Sequence, residues 1–389
     1  MSLPNLLFVT PSMPSPLGTG SMLRAAMTLD ALRKRFRVHV LNFNVWSWGS
    51  GRPSFLLNRA ASYAELPGAR GEVDSSTLLE RYFPGIEFAA IHTFKLIMAR
   101  VTVGILAGMK GPRPYLVLDL DDDECTRSAR LLDRMEQDND VQALKRGRTD
   151  EGQLRMLEKM MAPRFDALCL AGIDDCSVLA ARYPRAAVHH LPNAIDLPDN
   201  SGGRAATAEG NAAAKILFVG ALYYAPNADG ICYFVDQVLP KVQELAGTRI
   251  TLQVVGADPL RRVTQLTENP AVTIHANVPT VAPYYEEANL CIVPLRVGSG
   301  TRIKILEAFS YRRPVVSTHL GAEGLAVTDG EQLLLADEPE AMARACASLL
   351  KDHELRERVA NSAYDWVFRN HTVANAEAAM DSIYRPVLA

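Results

Sequence analysis

The sequence predicts an α/β protein built from two doubly wound parallel sheets. Three observations predict it. Short apolar runs alternate with amphipathic helical segments along most of the chain, the alternation stops near Asn193 and starts afresh at Lys215, and 389 residues exceed what one core usually holds.

In the first half, Leu6 to Thr10 reads as a strand, followed by a Pro/Gly loop to Gly20, an amphipathic helix from Ser21 to Phe36 and a strand from Val38 to Asn42. That is a βαβ opening. Residues 44 to 85 show little periodicity and carry Trp46 and Trp48, so irregular elements near the ligand side of the sheet are expected there. Further strands are predicted at Phe88 to Ile91, Tyr115 to Leu120, Asp166 to Leu170 and Val188 to Leu191, with helical patterns between them. The longest apolar stretch, Phe94 to Gly111, is interrupted by Lys95, Arg100 and Lys110. Its clean run falls short of the roughly 20 residues a bilayer span needs, so a buried helix is expected.

Residues 193 to 214 are rich in Gly, Ala, Asn and Asp and short of large apolar side chains, the composition of a linker. Beyond it, strands are predicted at Lys215 to Val219, Ile250 to Val255, Val272 to His275, Leu290 to Pro294, Pro314 to Ser317 and Gln332 to Leu335. Helices are predicted at Asp229 to Leu245, Arg302 to Phe309, Glu340 to Leu350 and Leu355 to Phe368, with a last one from Val373 to Tyr384. The expected domains are therefore 1–192 and 215–372, joined by 193–214, with 373–389 packing back on the first. Two such domains would face each other across a central cleft lined by strand C-termini.

A composition of 48% hydrophobic and 22% charged residues is that of an ordinary soluble globular protein, and a net charge of -3 gives no general pull toward nucleic acid. The six cysteines form no CxxC pair, so a reduced, cytoplasmic protein is expected. MSLPNLLFVTPSMP lacks the basic start and apolar length of a signal peptide. Arg33, Lys34, Arg35 and Arg37 could touch a membrane surface, although cations at a helix C-terminus have a routine macrodipole reason.

Chemistry gathers in Val297 to Phe309, VGSGTRIKILEAF. Arg302 and Lys304 stand where a helix should begin, and a cation there opposes the macrodipole by about 0.3 to 1 kcal/mol. An anion is expected between them and the helix. The loop after Gly220 and the HLGAEGL turn after Thr318 would bring two more glycine-bearing loops to the same sheet edge. In the first half, Gly18 and Gly20 open the helix that carries Arg24, but GTGSML lacks the third glycine of a dinucleotide fingerprint. Asp119 to Glu124, DLDDDE, offers carboxylates for an acceptor hydroxyl, for a metal, or simply as a helix cap.

FVGALYYAPNADG (Phe218 to Gly230), VVGADP (Val254 to Pro259), PYYEEANLCIVPLRVGSGTRIKILEAFSYRRPVVST (Pro283 to Thr318) and GAEGL (Gly321 to Leu325) resemble the retaining glycosyltransferases of family 4. LPNAID (Leu191 to Asp196) is similar to that family's linker signature, with Ala194 where glycine is usual. The resemblance covers essentially all of 188–389 and is weaker before it. It implies the GT-B fold, a nucleoside diphosphate sugar held by the second domain, and an acceptor facing the first.

The resemblance implies that Glu307 holds the nucleotide ribose and that Arg302 and Lys304 neutralise the diphosphate. Gly220, Asn227, Gly298, Ser299, Gly300 and Thr301 would complete the donor site, and Gly18, Gly20 and Arg24 an acceptor-side loop. His92 and Asp121 are the acceptor-side candidates for catalysis. One departure stands out: Ser299 occupies the position of the family's first signature Glu, and no Arg or Lys lies within Ala221 to Asn227. The implied activity is sugar transfer from a UDP- or GDP-sugar to a glycan, lipid-linked or small-molecule acceptor. No metal or cofactor is expected, and the setting would be cell-surface polysaccharide or glycolipid synthesis at the cytoplasmic face of the membrane. A nucleotide-sugar epimerase, a phosphorylase and a non-catalytic nucleotide-sugar-binding subunit are the alternatives.

Overall fold

The computed structural model describes residues 3–16, 18–44, 54–67, 74–137, 141–195, 197–198, 213–298 and 303–388. The chain divides into two units, Met1–Ala194 with Val373–Ala389, and Ile195–Thr372. Both are parallel α/β sheets, each Rossmann-like, and together they make the GT-B fold.

Unit 1 carries β1 (Asn5–Thr10), β2 (Arg37–Asn44), β3 (Ser62–Pro67), β4 (Ala90–Phe94), β5 (Tyr115–Asp121), β6 (Ala167–Leu170) and β7 (Ala187–His190), in the spatial order β3-β2-β1-β4-β5-β6-β7. Its helices are α1 (Gly20–Leu32), α2 (Ser54–Leu57), α3 (Leu78–Tyr82), α4 (Ala99–Gly108), α5 (Glu124–Gln137), α6 (Val141–Met161) and α7 (Ile173–Arg182). Thr19 caps α1 by accepting from the Met22 amide, and Ala25, Leu29 and Leu32 bury its inner face. Leu116 to Leu120 are all buried, because helices cover both faces of a parallel sheet, and the one polar member of the run, Asp119, is paired with Arg24.

Two expectations for this unit need correction. Within residues 44–85, β3 adds an edge strand to β2 that the weak alternation of SYAELP does not announce. Trp46 and Trp48 lie outside the described residues. The fourth strand runs two residues later than expected: Phe88 leaves the ladder for an edge-to-face cluster with His39 and Phe83, and His92 pairs in register between Phe8 and Val117. His92 therefore sits inside the sheet and not after it.

Unit 2 carries β8 (Ala214–Val219), β9 (Ile250–Gly256), β10 (Val272–Ala276), β11 (Leu290–Val293), β12 (Val315–Ser317) and β13 (Leu334–Leu335), ordered β10-β9-β8-β11-β12-β13. Its helices are α8 (Ala225–Tyr233), α9 (Leu239–Ala246), α10 (Arg261–Thr264), α11 (Ala282–Glu287), α12 (Ile303–Ser310), α13 (Pro339–Lys351) and α14 (His353–Asn370). The single helix expected over 229–245 begins at Ala225 and is interrupted by a π-helical turn, Phe234–Val238. Pro226 fits the first turn, where amides lack partners anyway, whereas Pro240 cannot donate and the helix widens ahead of it.

The last helices, α15 (Val373–Ile383) and α16 (Arg385–Leu388), belong to unit 1. Met380, Ile383 and Tyr384 join the core formed by α1, β1 and β2, and Arg35 pairs with Asp381. Part of the basic cluster at the end of α1 is thus spent inside the fold. Among the described residues no helix is long and apolar enough to cross a membrane.

Candidate functional site

In unit 2 the strand order reverses between β8 and β11. Helix α8 buries Ala228 and Ile231 against the sheet face bearing Ile216, Phe218 and Ile292. Helix α12 buries Ile305, Leu306 and Phe309 against the opposite face, with Leu217 and Val293. Neighbouring strands thus send their chains to opposite sides and leave a crevice at their C-termini, the topological switch point of an open α/β sheet.

Gly220, the first residue past β8, floors this crevice. A Cβ there would meet Asn227 Nδ2 at 2.8 Å and Lys304 Nζ at 2.9 Å. Its carbonyl oxygen in turn leaves no room for a side chain on Gly256 at the end of β9, where a Cβ would fall 1.7 Å away. Lys304 reaches in from α12, donates to Asn227 Oδ1 at 2.6 Å and lies 4.8 Å from the Phe218 ring centroid. Asn227 is itself fixed by donating to the Ala221 carbonyl at 2.9 Å. Helix α8 points its N-terminus at the same place, with no side-chain cap and no acidic residue in its first turn. An ammonium, an uncapped helix start and a missing Cβ make a seat for an anion.

One turn along α12 from Lys304, Glu307 accepts from the Tyr285 hydroxyl at 3.1 Å. Burial pushes its pKa up to about 7, against the pull of the Tyr285 hydrogen bond and the Lys304 charge. Tyr285 is held in turn by stacking on Tyr311 at 5.1 Å. A partly buried carboxylate of this kind can accept hydrogen bonds from hydroxyl groups. Gly298, with φ 131°, takes a conformation that favours glycine. Ser299, Gly300, Thr301 and Arg302 lie outside the described residues.

The loop after β12 closes tightly on its neighbour. A Cβ on Gly321 would meet Ser317 Oγ at 2.4 Å and the Val293 carbonyl oxygen at 2.6 Å. His319 stands exposed beside it, its backbone and ring both held by Asp337 at 2.9 and 2.8 Å.

The edge of the unit 1 sheet is occupied differently. Arg24, expected on an acceptor-side loop, is 1% exposed. It donates to Asp119 Oδ1 at 2.8 Å, Asn193 Oδ1 at 2.8 Å and the Leu191 carbonyl at 3.1 Å, with Asp121 at 3.3 Å. Burial alone would raise the Asp119 pKa, but Arg24 and then His92 hold it well below the usual carboxylate range. His92 is fully buried, its Nδ1 2.7 Å from the Tyr384 hydroxyl and its Nε2 3.6 Å from Asp119. A ring this enclosed, in mid-strand, is no longer a contact for an acceptor.

Asp121, the other acceptor-side candidate, is paired with Lys95 at 2.9 Å, and Lys95 also holds Asp122 at 3.0 Å and Glu124 at 3.8 Å. Arg127 takes Asp122, and Arg182 takes Asp123 and Glu158. Every carboxylate of DLDDDE is thus engaged by a cation. Asp123, Cys125 and Glu158 lie close enough together to share a metal, but Arg182 and Thr126 already bind the two carboxylates. Of the acceptor-side loop, Gly18 adopts φ 123° and packs on Met22, and Gly20 opens α1.

Of the expected donor set, Gly220, Asn227 and Lys304 meet directly, and Glu307 stands one turn away on α12. His92, Arg24 and Asp121 converge too, but on one another. Sequence reasoning missed Tyr285, which orients Glu307, and Lys95, which neutralises Asp121. Each has a weak signal: Tyr285 lies in a six-residue helix just ahead of β11, and Lys95 follows a buried strand.

Residues 213–352 match the family model described as glycosyl transferases group 1. An uncharacterized 44.6 kDa protein in the cps region of Klebsiella pneumoniae is 24% identical over 179 residues, 44% of this chain and 45% of that relative's length. Sucrose-phosphate synthase from Thermosynechococcus elongatus superposes with a TM-score of 0.71 at 16% identity, covering 98% of this chain and 99% of that one. HepE of Anabaena, in complex with UDP and glucose, superposes with a TM-score of 0.68 at 14% identity, covering 98% and 100%. The solved structures share the fold. The segment that matches the glycosyl transferase group 1 model lies in unit 2, the unit that carries the crevice over Gly220.

Proposed function

We propose that this chain transfers a sugar from a UDP- or GDP-sugar to an acceptor hydroxyl with retention at the anomeric carbon. The observation that carries this reading is the crevice over Gly220, where Lys304, Asn227 and the start of α8 converge on space a Cβ would fill. There the diphosphate takes the Lys304 ammonium at the positive end of the α8 dipole, while Glu307 accepts from the ribose hydroxyls. As the glycosidic bond to phosphate breaks, negative charge grows on the leaving oxygen, and a fixed cation in a low-dielectric crevice stabilises that state more than the ground state.

Retention follows if the departing phosphate itself takes the acceptor proton while the hydroxyl attacks from the same face. The state of the acceptor-side candidates favours this route: Asp121 is already paired with Lys95, and His92 has no access to solvent. The protein then contributes orientation and charge stabilisation, not a strong base. Arg302 and the glycine-rich turn at Gly298 to Thr301 are assigned to the diphosphate and donor sugar, and Gly18 and Gly20 to the acceptor side. The acceptor is taken to be a glycan, a lipid-linked sugar or a small molecule. Polysaccharide or glycolipid synthesis at the cytoplasmic face of the membrane is the proposed setting, with no metal or cofactor required.

The test is titration with UDP, GDP, ADP and dTDP, followed by turnover of the matching sugars with an acceptor panel. Ligand at one hundred times its dissociation constant stabilises by about 2.7 kcal/mol, enough to read in a melt. Binding of one diphosphate with product of retained configuration is expected. Tight binding without transfer to any acceptor would leave a sugar-nucleotide-binding subunit, and sugar release or epimerisation without acceptor would mean another chemistry.

A further inference from the structure

The approach of α8 to the exit of β11 sets the width of the crevice. Three contacts along α8 fix it. Asn227 receives Lys304, a Cβ on Gly230 would meet the Pro294 carbonyl oxygen at 2.7 Å, and between them Asp229 meets Arg296. The Asp229–Arg296 contact is bidentate, Nε to Oδ2 at 3.0 Å and one terminal nitrogen to Oδ1 at 2.6 Å. The guanidinium also lies 4.7 Å from the Tyr233 ring centroid. Tyr233 in turn donates from its hydroxyl to the Asp337 carbonyl at 3.0 Å, and Asp337 carries His319. One polar chain thus joins α8 to the loops leaving β11, β12 and β13.

Arg296 stands two residues before Gly298, beside the proposed anion seat, and would pass for another phosphate ligand. Its geometry argues otherwise. Two parallel charge-assisted bonds to Asp229 and the contact with the Tyr233 face turn the Nε edge of its fork to α8. We propose that Asp229 and Arg296 are positioning residues for nucleotide binding: their bidentate pair holds Pro294–Gly298 against α8 and so sets the gap between Asn227 and Lys304. The inference rests on the reading of that crevice as a nucleoside diphosphate site. It extends that reading by assigning to a carboxylate, which itself would repel a diphosphate, a share in binding one.

The test uses Arg296→Lys, Asp229→Asn, Asp229→Glu and the double variant Asp229→Asn/Arg296→Lys, each first checked for an unchanged melting transition. Two measurements are made on each, UDP and GDP affinity by calorimetry and amide hydrogen exchange across 294–298 without nucleotide. Positioning predicts that either single variant weakens the bound diphosphate about tenfold, that the double variant is no worse than either, and that exchange quickens in all three. Asp229→Glu, which keeps the carboxylate, should recover part of both. If Asp229→Asn leaves affinity unchanged or raises it while Arg296→Lys lowers it, Arg296 is itself a ligand and the proposal fails. Unchanged affinity and exchange in both would make the pair inert, which also overturns it. Should the wild type bind no nucleoside diphosphate, the functional reading falls, while the exchange measurement still decides whether the pair holds the loop. A variant whose melting transition drops is replaced by Arg296→Gln, read by the same two measurements.

Discussion

The two units share a plan yet treat the same place in opposite ways. Each sheet reverses its order between its first and fourth strands, β1 and β4 in one, β8 and β11 in the other. In unit 1 the chain fills its own strand ends: Arg24, Lys95, Asp119, Asp121 and Asp122 neutralise one another, and Tyr384 closes over His92. In unit 2 the corresponding place is lined, among the described residues, by Gly220, Asn227 and the Lys304 ammonium. Topology offers a crevice in both units, but an anion seat needs side chains that are missing as much as side chains that are present.

Filling the second crevice should break the contrast most completely. Gly220→Val places atoms where Asn227 and Lys304 stand, and loss of nucleoside diphosphate binding by about a hundredfold or more is expected in a titration. Lys304→Ala keeps the space and removes the charge. A loss on the order of tenfold to a hundredfold in diphosphate affinity is expected, with little change in the affinity of the bare nucleoside.

Glu307→Gln sharpens the comparison through pH. With its pKa raised to about 7, Glu307 charges in the free protein only above that pH, and ribose hydroxyls favour the charged form. Wild-type nucleotide affinity should therefore fall as pH drops from about 8 to 6, while the Gln variant binds about fivefold more weakly at high pH and shows no such slope. For stability the sign is opposite. A raised folded pKa contributes stability that is fully present below the unfolded value and lost as pH rises through the folded one, so Glu307→Gln should gain on the wild type between about pH 5 and 8 in denaturant melts.

Asp121→Asn, on the filled edge, should have the smallest effect. If the leaving phosphate takes the acceptor proton, turnover drops less than about threefold. A loss of about a hundredfold or more would instead identify Asp121 as a general base and bring unit 1 into the chemistry.

Much of this was legible in the sequence for a physical reason: strands buried on both faces are mostly apolar, so Leu6 to Thr10, Tyr115 to Leu120 and Lys215 to Val219 stand out from their helices. The edge strand Ser62–Pro67 did not, because only one neighbour constrains it and its text alternates weakly. Lys304 stands out as a cation at a helix start and Gly220 by its place after a strand, whereas Glu307 is singled out by the resemblance to the family 4 glycosyltransferases. Arg24 and His92 could not be placed, since a buried ion pair and an exposed binding residue look alike until the partners Asp119 and Tyr384, distant in sequence, are brought together. The bidentate pair of Asp229 and Arg296 is hidden for the same reason.

The central claim is that unit 2, at Gly220 and Lys304, seats a nucleoside diphosphate. A crystal structure of the chain with UDP or GDP tests it most directly. The account predicts diphosphate oxygens over Gly220, within about 3 Å of Lys304 Nζ, with the ribose at Glu307. A nucleotide bound instead at the strand ends of unit 1, against Lys95 and Arg24, would contradict it.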